Sequence, residues 1–338
     1  MTSKLALVTA TLVIAGSAAT AKTRLLVNCF WPSSHFACSE VLPAWIEEVE
    51  RVTEGRVTGI IPPKSVAPPP EQMAAVEKGI VDVAVMFNGF FGDTVQGPKV
   101  AMQPFVAIRD AETMSKALWA TNQAYFADEI TSVKLLSQFV ISPGELYSQT
   151  DTPITSLDDL VSRKMWVLPG PLAAITKKLG TGVVSTPAVK SNEIISRGVV
   201  DGHLGLDPQA VEAFQLLPYT KSTTRLSQPI YATSFSVFAN TDTWAEISAE
   251  DQDAIMSVSG GVLGAAFGRR WDAGAAQGEA AYEGAGLAVV EADPAFEEAL
   301  MEASSFVTEG WLKAAGDAGI DAQGALDFYR SQLDGAMN

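Results

Sequence analysis

The sequence predicts an α/β fold of two lobes, each a mostly parallel sheet flanked by helices. Three observations predict it. Short apolar runs alternate with helical patterns along nearly the whole chain, the order that parallel sheets require. A motif of the form K/R-G-x-V-D occurs twice, at Lys78-Gly79-Ile80-Val81-Asp82 and at Arg197-Gly198-Val199-Val200-Asp201, each time after a strand, helix, strand, helix series. In both, the glycine is placed to stop a helix just before a strand enters a sheet. A length of 338 residues with 47% hydrophobic content is enough for two cores.

The elements follow in order. Residues 1–21 read as a secretory leader: Lys4, an apolar run from Leu5 to Ile14, then small residues ending Ala19-Thr20-Ala21, with cleavage expected after Ala21. Leu25–Phe30 reads as the first strand. Glu40–Thr53 is a helix with Leu42, Trp45, Ile46 and Val49 on one face, stopped by Gly55. Arg56–Ile61 is a strand closed by Pro62-Pro63. Pro68-Pro69-Pro70 cannot be helical but sets up a helix from Glu71 to Lys78, and Val81–Phe87 is the third strand.

Helices cover about 111–130, and strands are expected at Val133–Ile141 and Lys164–Leu168. Between those strands, Ser156 and Asp159 form an S-x-x-D helix-start signal. A helix at Leu172–Leu179, a strand at Gly182–Ser185, a short helix at Ser191–Arg197 and a strand at Ile230–Ala239 follow. From Ser248 the pattern is helical, and Gly260-Gly261 should bend or break it. A last strand at Leu287–Val290 precedes C-terminal helices. The lobes are expected to comprise 22–140 plus about 232–270, and 141–231 plus about 271–338.

A net charge of −16 disfavours nucleic acid and anionic membrane surfaces as partners. The leader's apolar run is too short to span a bilayer, and no later segment offers about 18 uninterrupted apolar residues. The mature chain is expected to be exported to the periplasm, as a monomer or weak dimer. Cys29 and Cys38 could form a disulfide closing a loop worth about 2–3 kcal/mol, or could remain two buried thiols. With His35 and His203 the only histidines and no ligand-like spacing, neither a metal nor another cofactor is expected.

Several segments in order resemble the DctP-type solute-binding proteins that serve TRAP (tripartite ATP-independent periplasmic) transporters. They are Pro32-Ser33-Ser34-His35, Val52-Thr53-Glu54-Gly55-Arg56-Val57, the first K-G-x-V-D motif, Gln103-Pro104-Phe105, and Asp159-Leu160 leading into Lys164-Met165-Trp166-Val167. Gly198–Gly202 and Asn240-Thr241-Asp242-Thr243-Trp244 complete the series. The resemblance implies a periplasmic-binding fold with crossing strands and a long spanning helix, closing on a small organic solute and delivering it to TRAP permease subunits without chemistry of its own. In the family an arginine of the strand after Asp-Leu holds the substrate's carboxylate. Here that place is taken by Trp166, which has one N–H donor and cannot substitute electrostatically.

Two-lobed binding folds take ligands at the carboxyl ends of their strands. The candidates there are Phe30, Trp31 and His35 after the first strand, Glu71 after the proline run, and Phe87, Asn88, Phe90 and Phe91 after the third strand. Glu145 and Tyr147 after the crossing strand, Trp166, Asp207 and Phe235 join them. Such a lining suits an atypical ligand, aromatic or amine-like, the latter through cation–π contact. The competing readings are an ABC-type or sensor-coupled binding protein and, with neither a G-x-S-x-G elbow nor a phosphate loop in support, an exported hydrolase.

Overall fold

The computed structural model describes residues 22–106 and 109–335, so the leader and its cleavage point lie outside the described residues. Eleven strands are described: β1 Thr23–Asn28, β2 Val57–Ile60, β3 Val83–Phe87, β4 Lys134–Val140, β5 Leu146–Ser148, β6 Lys164–Val167, β7 Gly182–Ser185, β8 Gly202–Leu204, β9 Ser222–Arg225, β10 Ser234–Ala239 and β11 Ala288–Glu291. They form two sheets, in the orders β2-β1-β3-β10-β4 and β11-β9-β5-β8-β6-β7. The expected two lobes are present, and each sheet is mixed. β10 runs antiparallel to β3 and β4, and β5 antiparallel to β8 and β9. These are the strands that cross between lobes, so they enter against the direction set by the βα units.

The repeated K/R-G-x-V-D motif does the same work in both lobes. Gly79 and Gly198 take φ of +65° and +63°, the left-handed turn that ends a helix. The Asp82 carboxylate accepts from Leu26 N–H at 2.7 Å while its own N–H donates to Leu26 O. Asp201 makes the same pair of bonds with Lys164, at 2.9 and 2.7 Å. One polar side chain therefore ties the incoming strand to its neighbour in each sheet. The Ser156 start signal is a full capping box: Asp159 N–H donates to Ser156 Oγ, and Ser156 N–H donates to Asp159 Oδ2.

The lobes are joined where β4 runs into β5 and where β9 returns to β10. These two crossings bond to each other, Ile141 N–H to Thr233 O at 2.9 Å and Gly144 N–H to Tyr231 O at 3.1 Å. Behind them lies the helix Gly260–Ala285, separated from Ala249–Ser257 at Val258-Ser259, so the expected break falls just ahead of the glycine pair. Its first half packs on Ala111–Thr121 and β4, and its second on the helix Pro208–Ala213. Four of its glycines allow this contact. A Cβ at Gly264, Gly268, Gly274 or Gly278 would meet Gln138 O, Ala111 O, the Gln209 side chain or Pro208 O more closely than real Cβ atoms do.

The C-terminal end touches both lobes. The helix Pro294–Asp317 packs first on the second-lobe helices Leu157–Val161 and Pro171–Lys178. It ends on the first lobe, where Trp311 Nε1–H donates to Gln96 O at 2.9 Å. The last helix, Ala322–Gly335, then lays its apolar stripe of Ala325, Leu326, Tyr329 and Leu333 toward Ala111–Thr121. Among the described residues no helix is long and apolar enough to cross a membrane.

Candidate functional site

The crevice between the sheets is built from the carboxyl ends of β1 and β3 on one side and of β6 and β8 on the other. Immediately after β1, Cys29 and Cys38 form a disulfide with Cα atoms 5.7 Å apart. The loop it closes carries Phe30, Trp31 and His35, so the bridge fixes the part of lobe one that faces lobe two. Phe30 stacks on Trp31 at 3.9 Å, and Trp31 on His35 at 5.2 Å.

A second row comes from strand register, which sets Phe87 of β3 and Phe139 of β4 opposite Phe235 of β10. Their rings lie 5.9 and 5.1 Å from Phe235. Trp271, from the spanning helix, reaches Trp31 at 5.6 Å and joins the rows. The facing wall is mainly aliphatic: Leu168 and Pro169 after β6, Pro187 and Ala188 after β7, and Gly205 and Leu206 after β8, with Asp207 and Phe214 the exceptions.

Two adjoining cavities of about 40 Å³ each lie between these walls. One is bounded by Phe30, Phe87, Phe90 and Pro187, the other by His35, Asp207, Gln209 and Trp271, and they share Trp31 and Phe235. Among the described residues lining them none is lysine or arginine. A wider groove of about 330 Å³ opens beside His35 and Gln209, where Arg270 lies over the Phe36 ring at 4.4 Å and pairs with Glu40 at 2.7 Å.

Burial shifts both titratable groups of the crevice toward their neutral forms. Burial lowers His35 to about 4, opposed by the Gln209 side chain. His35 Nδ1 accepts from Ala37 N–H at 3.2 Å, which leaves the proton of the neutral ring on Nε2. Asp207 caps the helix Pro208–Ala213 through Oδ1, which accepts from Ala210 N–H at 2.9 Å. Its carboxyl is pushed up to about 7, by burial first, with the Glu145 charge adding to the rise.

Seven expected residues therefore meet at the crevice: Phe30, Trp31, His35, Phe87, Phe90, Asp207 and Phe235. Six do not, Glu71, Asn88, Phe91, Glu145, Tyr147 and Trp166, each for a structural reason. Glu71 is exposed at the end of the turn Pro69–Glu71, and only Pro69 of that turn reaches the wall. Asn88 is buried as a crosslink, donating to Ser234 Oγ at 2.9 Å and accepting from Ser236 Oγ at 2.7 Å. Glu145 turns to a separate groove of about 500 Å³ behind the crossings, beside Arg225 and Glu279. Tyr147 is fully buried, its hydroxyl 2.8 Å from that of Tyr282 and its ring stacked on His203.

Trp166 lies beneath the crevice, in one row across the second sheet with His203, Tyr147 and Thr223. Its indole N–H donates to Thr186 Oγ1 at 2.8 Å, and Leu168, two residues on, is what reaches the wall. Arg163 does not reach the crevice instead. It is spent on Ser148 Oγ, Thr150 Oγ1 and Thr152 O, all at 2.7–2.8 Å. Phe91 belongs to a small separate core with Met86 and Val95. Sequence reasoning missed Trp271, whose place inside a helix four residues after Phe267 reads as ordinary core.

This geometry has known counterparts. The family model of bacterial extracellular solute-binding proteins, family 7 (DctP), matches residues 27–313. The chain belongs to that family. It is a solute receptor of the TRAP kind, and its family and structural neighbours are receptors and not enzymes. A Comamonas testosteroni protein named outer membrane transporter protein TsaT is 34% identical to the receptor over 310 residues, 91% of each chain. A TRAP periplasmic solute-binding protein of Bordetella bronchiseptica, solved with (R)- and (S)-mandelate, is 31% identical, with a TM-score of 0.87 over 93% of the receptor and 99% of its own chain. A Rhodoferax ferrireducens receptor, solved with copurified benzoate, shares the fold at 20% identity and a TM-score of 0.83, covering 93% of the receptor and 98% of its own chain.

Proposed function

We propose that the exported receptor, freed of its leader after Ala21, captures an aromatic acid between its lobes in the periplasm and hands it to TRAP permease subunits. The observation that carries the ligand class is the ring-lined crevice: Phe30, Trp31, Phe87, Phe90, Phe235 and Trp271 converge on it, while no lysine or arginine among the described residues lines it. A flat ring between stacked rings gains offset-stacking contact in addition to burial. A C4-dicarboxylate would bury two charges among those rings without a cation for either, which is costly. The mandelate bound by the Bordetella relative supports the same class. A second reading, an aromatic amine, is favoured by one observation, the Asp207 carboxyl oxygen that has no partner. The lobes that close are 22–140 plus about 232–270 and 141–231 plus about 271–310, with the last helix riding on lobe one.

The test is a thermal-shift and calorimetry panel of mandelate, benzoate and 3-hydroxybenzoate, of benzylamine, and of succinate, malate and fumarate. A ligand that binds only the native protein raises its melting temperature. Stabilisation is expected from the aromatic acids and not from the C4-dicarboxylates. Strong stabilisation by succinate, malate or fumarate would sink the ligand class.

A further inference from the structure

A solute's carboxylate needs hydrogen-bond donors, and this crevice offers no cation to supply them. Its wall does carry two buried polar atoms without a hydrogen-bond partner, Asp207 Oδ2 and Trp271 Nε1. Both residues line the same cavity, at 1% and 2% exposure. The indole N–H faces the Asp207 carboxyl without closing a hydrogen bond to it. Orphaned buried groups are few in folded proteins, and two together on the wall of a binding crevice mark where a ligand's polar head completes the bonding.

We propose that Asp207, in its protonated form, and the indole N–H of Trp271 together hold the carboxylate of an aromatic acid, in place of an arginine. The proposal rests on the aromatic-acid reading of the ligand. In it, the Asp207 O–H donates to one carboxylate oxygen and the Trp271 N–H to the other, while the ligand's ring lies among Trp31, Phe235 and Phe214. When Asp207 starts ionised, binding takes up one proton from solvent.

The surroundings favour the protonated form. Asp207 is faced by Glu145 from the crossing segment, by Tyr147 of β5 and Tyr282 of the spanning helix, and by neutral His35 from the loop after β1. Of the nearby cations, Arg225 lies with Glu145 and Glu279, and Arg270, beside His35, pairs with Glu40. No group around Asp207 favours its charge beyond the Ala210 N–H and its own backbone N–H, with a small contribution from Trp271. His35, lowered to about 4, does not titrate in the range where Asp207 does.

The experiment is a titration of the mature protein with benzoate and mandelate between pH 5.5 and 8.5, read by calorimetry. Both ligands stay ionised throughout, since ordinary carboxyls titrate near 4. Affinity should hold up to about pH 6 and fall roughly tenfold or more by pH 8.5, because each unit above the Asp207 pKa depletes the donor about tenfold. Asp207→Asn keeps a donor and a good helix cap but cannot titrate, so it should bind with a flat profile. Trp271→Phe should weaken binding at every pH and keep the slope. Glu145→Gln should keep the slope as well, separating Asp207 from its acidic neighbour. A flat wild-type profile, or a slope that survives in Asp207→Asn, overturns the proposal while leaving the aromatic-acid reading intact. Benzylamine binding that strengthens as pH rises overturns both. A receptor that binds no aromatic compound at any pH overturns the ligand class itself, and this seat with it.

Discussion

Asp207 also has a consequence for stability that is independent of any ligand. Its folded pKa, about 7, stands above the ordinary carboxyl value of 3.8, so the unfolded chain gives up this proton first as pH rises. A raised carboxyl contributes stability that is complete below about 4 and is lost as pH climbs to about 7. Asp207→Asn removes that loss and keeps the cap on Ala210 N–H. The variant should therefore come closest to the wild type at the acid end, below about pH 4, and exceed it at pH 8, by at most about 4 kcal/mol. His35 and His203, lowered by burial to about 4 and about 3, pull the other way, since the unfolded chain takes up their protons first as pH falls below about 6.5. Both proteins share those histidines, so the difference between their melting curves isolates Asp207. Parallel curves from pH 4.5 to 8 would rule the buried, proton-holding carboxyl out. At this scale the sequence was readable wherever a residue lay in a loop after a strand, as with Phe30, Trp31, His35 and Asp207. It misled wherever a side chain's direction depended on a strand's neighbours: Trp166 and Tyr147 sit in a buried row that only the register across β5, β6 and β8 reveals.

Elements with their own local signals were the most legible. The capping box at Ser156, the glycine stops at Gly79 and Gly198, and apolar strands such as Val83–Phe87 are written in adjacent residues. The missed strand Ser222-Thr223-Thr224-Arg225 is polar and short. Packing buries its first three residues, and no alternation announces it. The spanning helix was anticipated as helical and broken, but its packing code was not, because it consists of missing atoms. Gly268 lets the helix touch Ala111, and a Cβ there would lie 2.5 Å from Ala111 O. Gly284, in the same helix, has nothing within 4 Å of that position. Alanine is the better helix former by up to about 1 kcal/mol, so Gly284→Ala should stabilise slightly. Gly268→Ala meets backbone that cannot yield cheaply, and overpacking of this kind costs about 1–3 kcal/mol, so it should destabilise despite the same propensity gain. Denaturant unfolding of the two variants decides it. Equal shifts in both would mean that the close approach of helix and lobe is not under strain.

At the scale of the whole molecule, several connections join the lobes. Two crossings bond to each other at Ile141 and Gly144, the helix Gly260–Ala285 backs them, and Pro294–Asp317 passes from the second lobe to the first at Trp311. The open side is the ring-lined crevice, whose cavities of about 40 Å³ are far smaller than the roughly 150 Å³ that admits a benzene ring. A ring can enter only if the walls separate, and the walls belong to different lobes, so binding and relative lobe movement are one event. A ligand that contacts both walls gains most from the arrangement in which both reach it, and shifts the population toward that arrangement. Mandelate or benzoate at a hundred times its Kd should then add about 2.7 kcal/mol to stability, a rise of roughly 4 °C in Tm. It should also reduce the radius of gyration seen by small-angle scattering. Pro169 and Ala188 lie on the aliphatic wall opposite Phe30 and Phe90, so Ala188→Trp should fill the crevice from the second lobe. That variant should lose both responses to the ligand while unfolding as one cooperative unit. A ligand-induced Tm shift that survives Ala188→Trp would place the binding site outside the crevice and break the link between capture and closure.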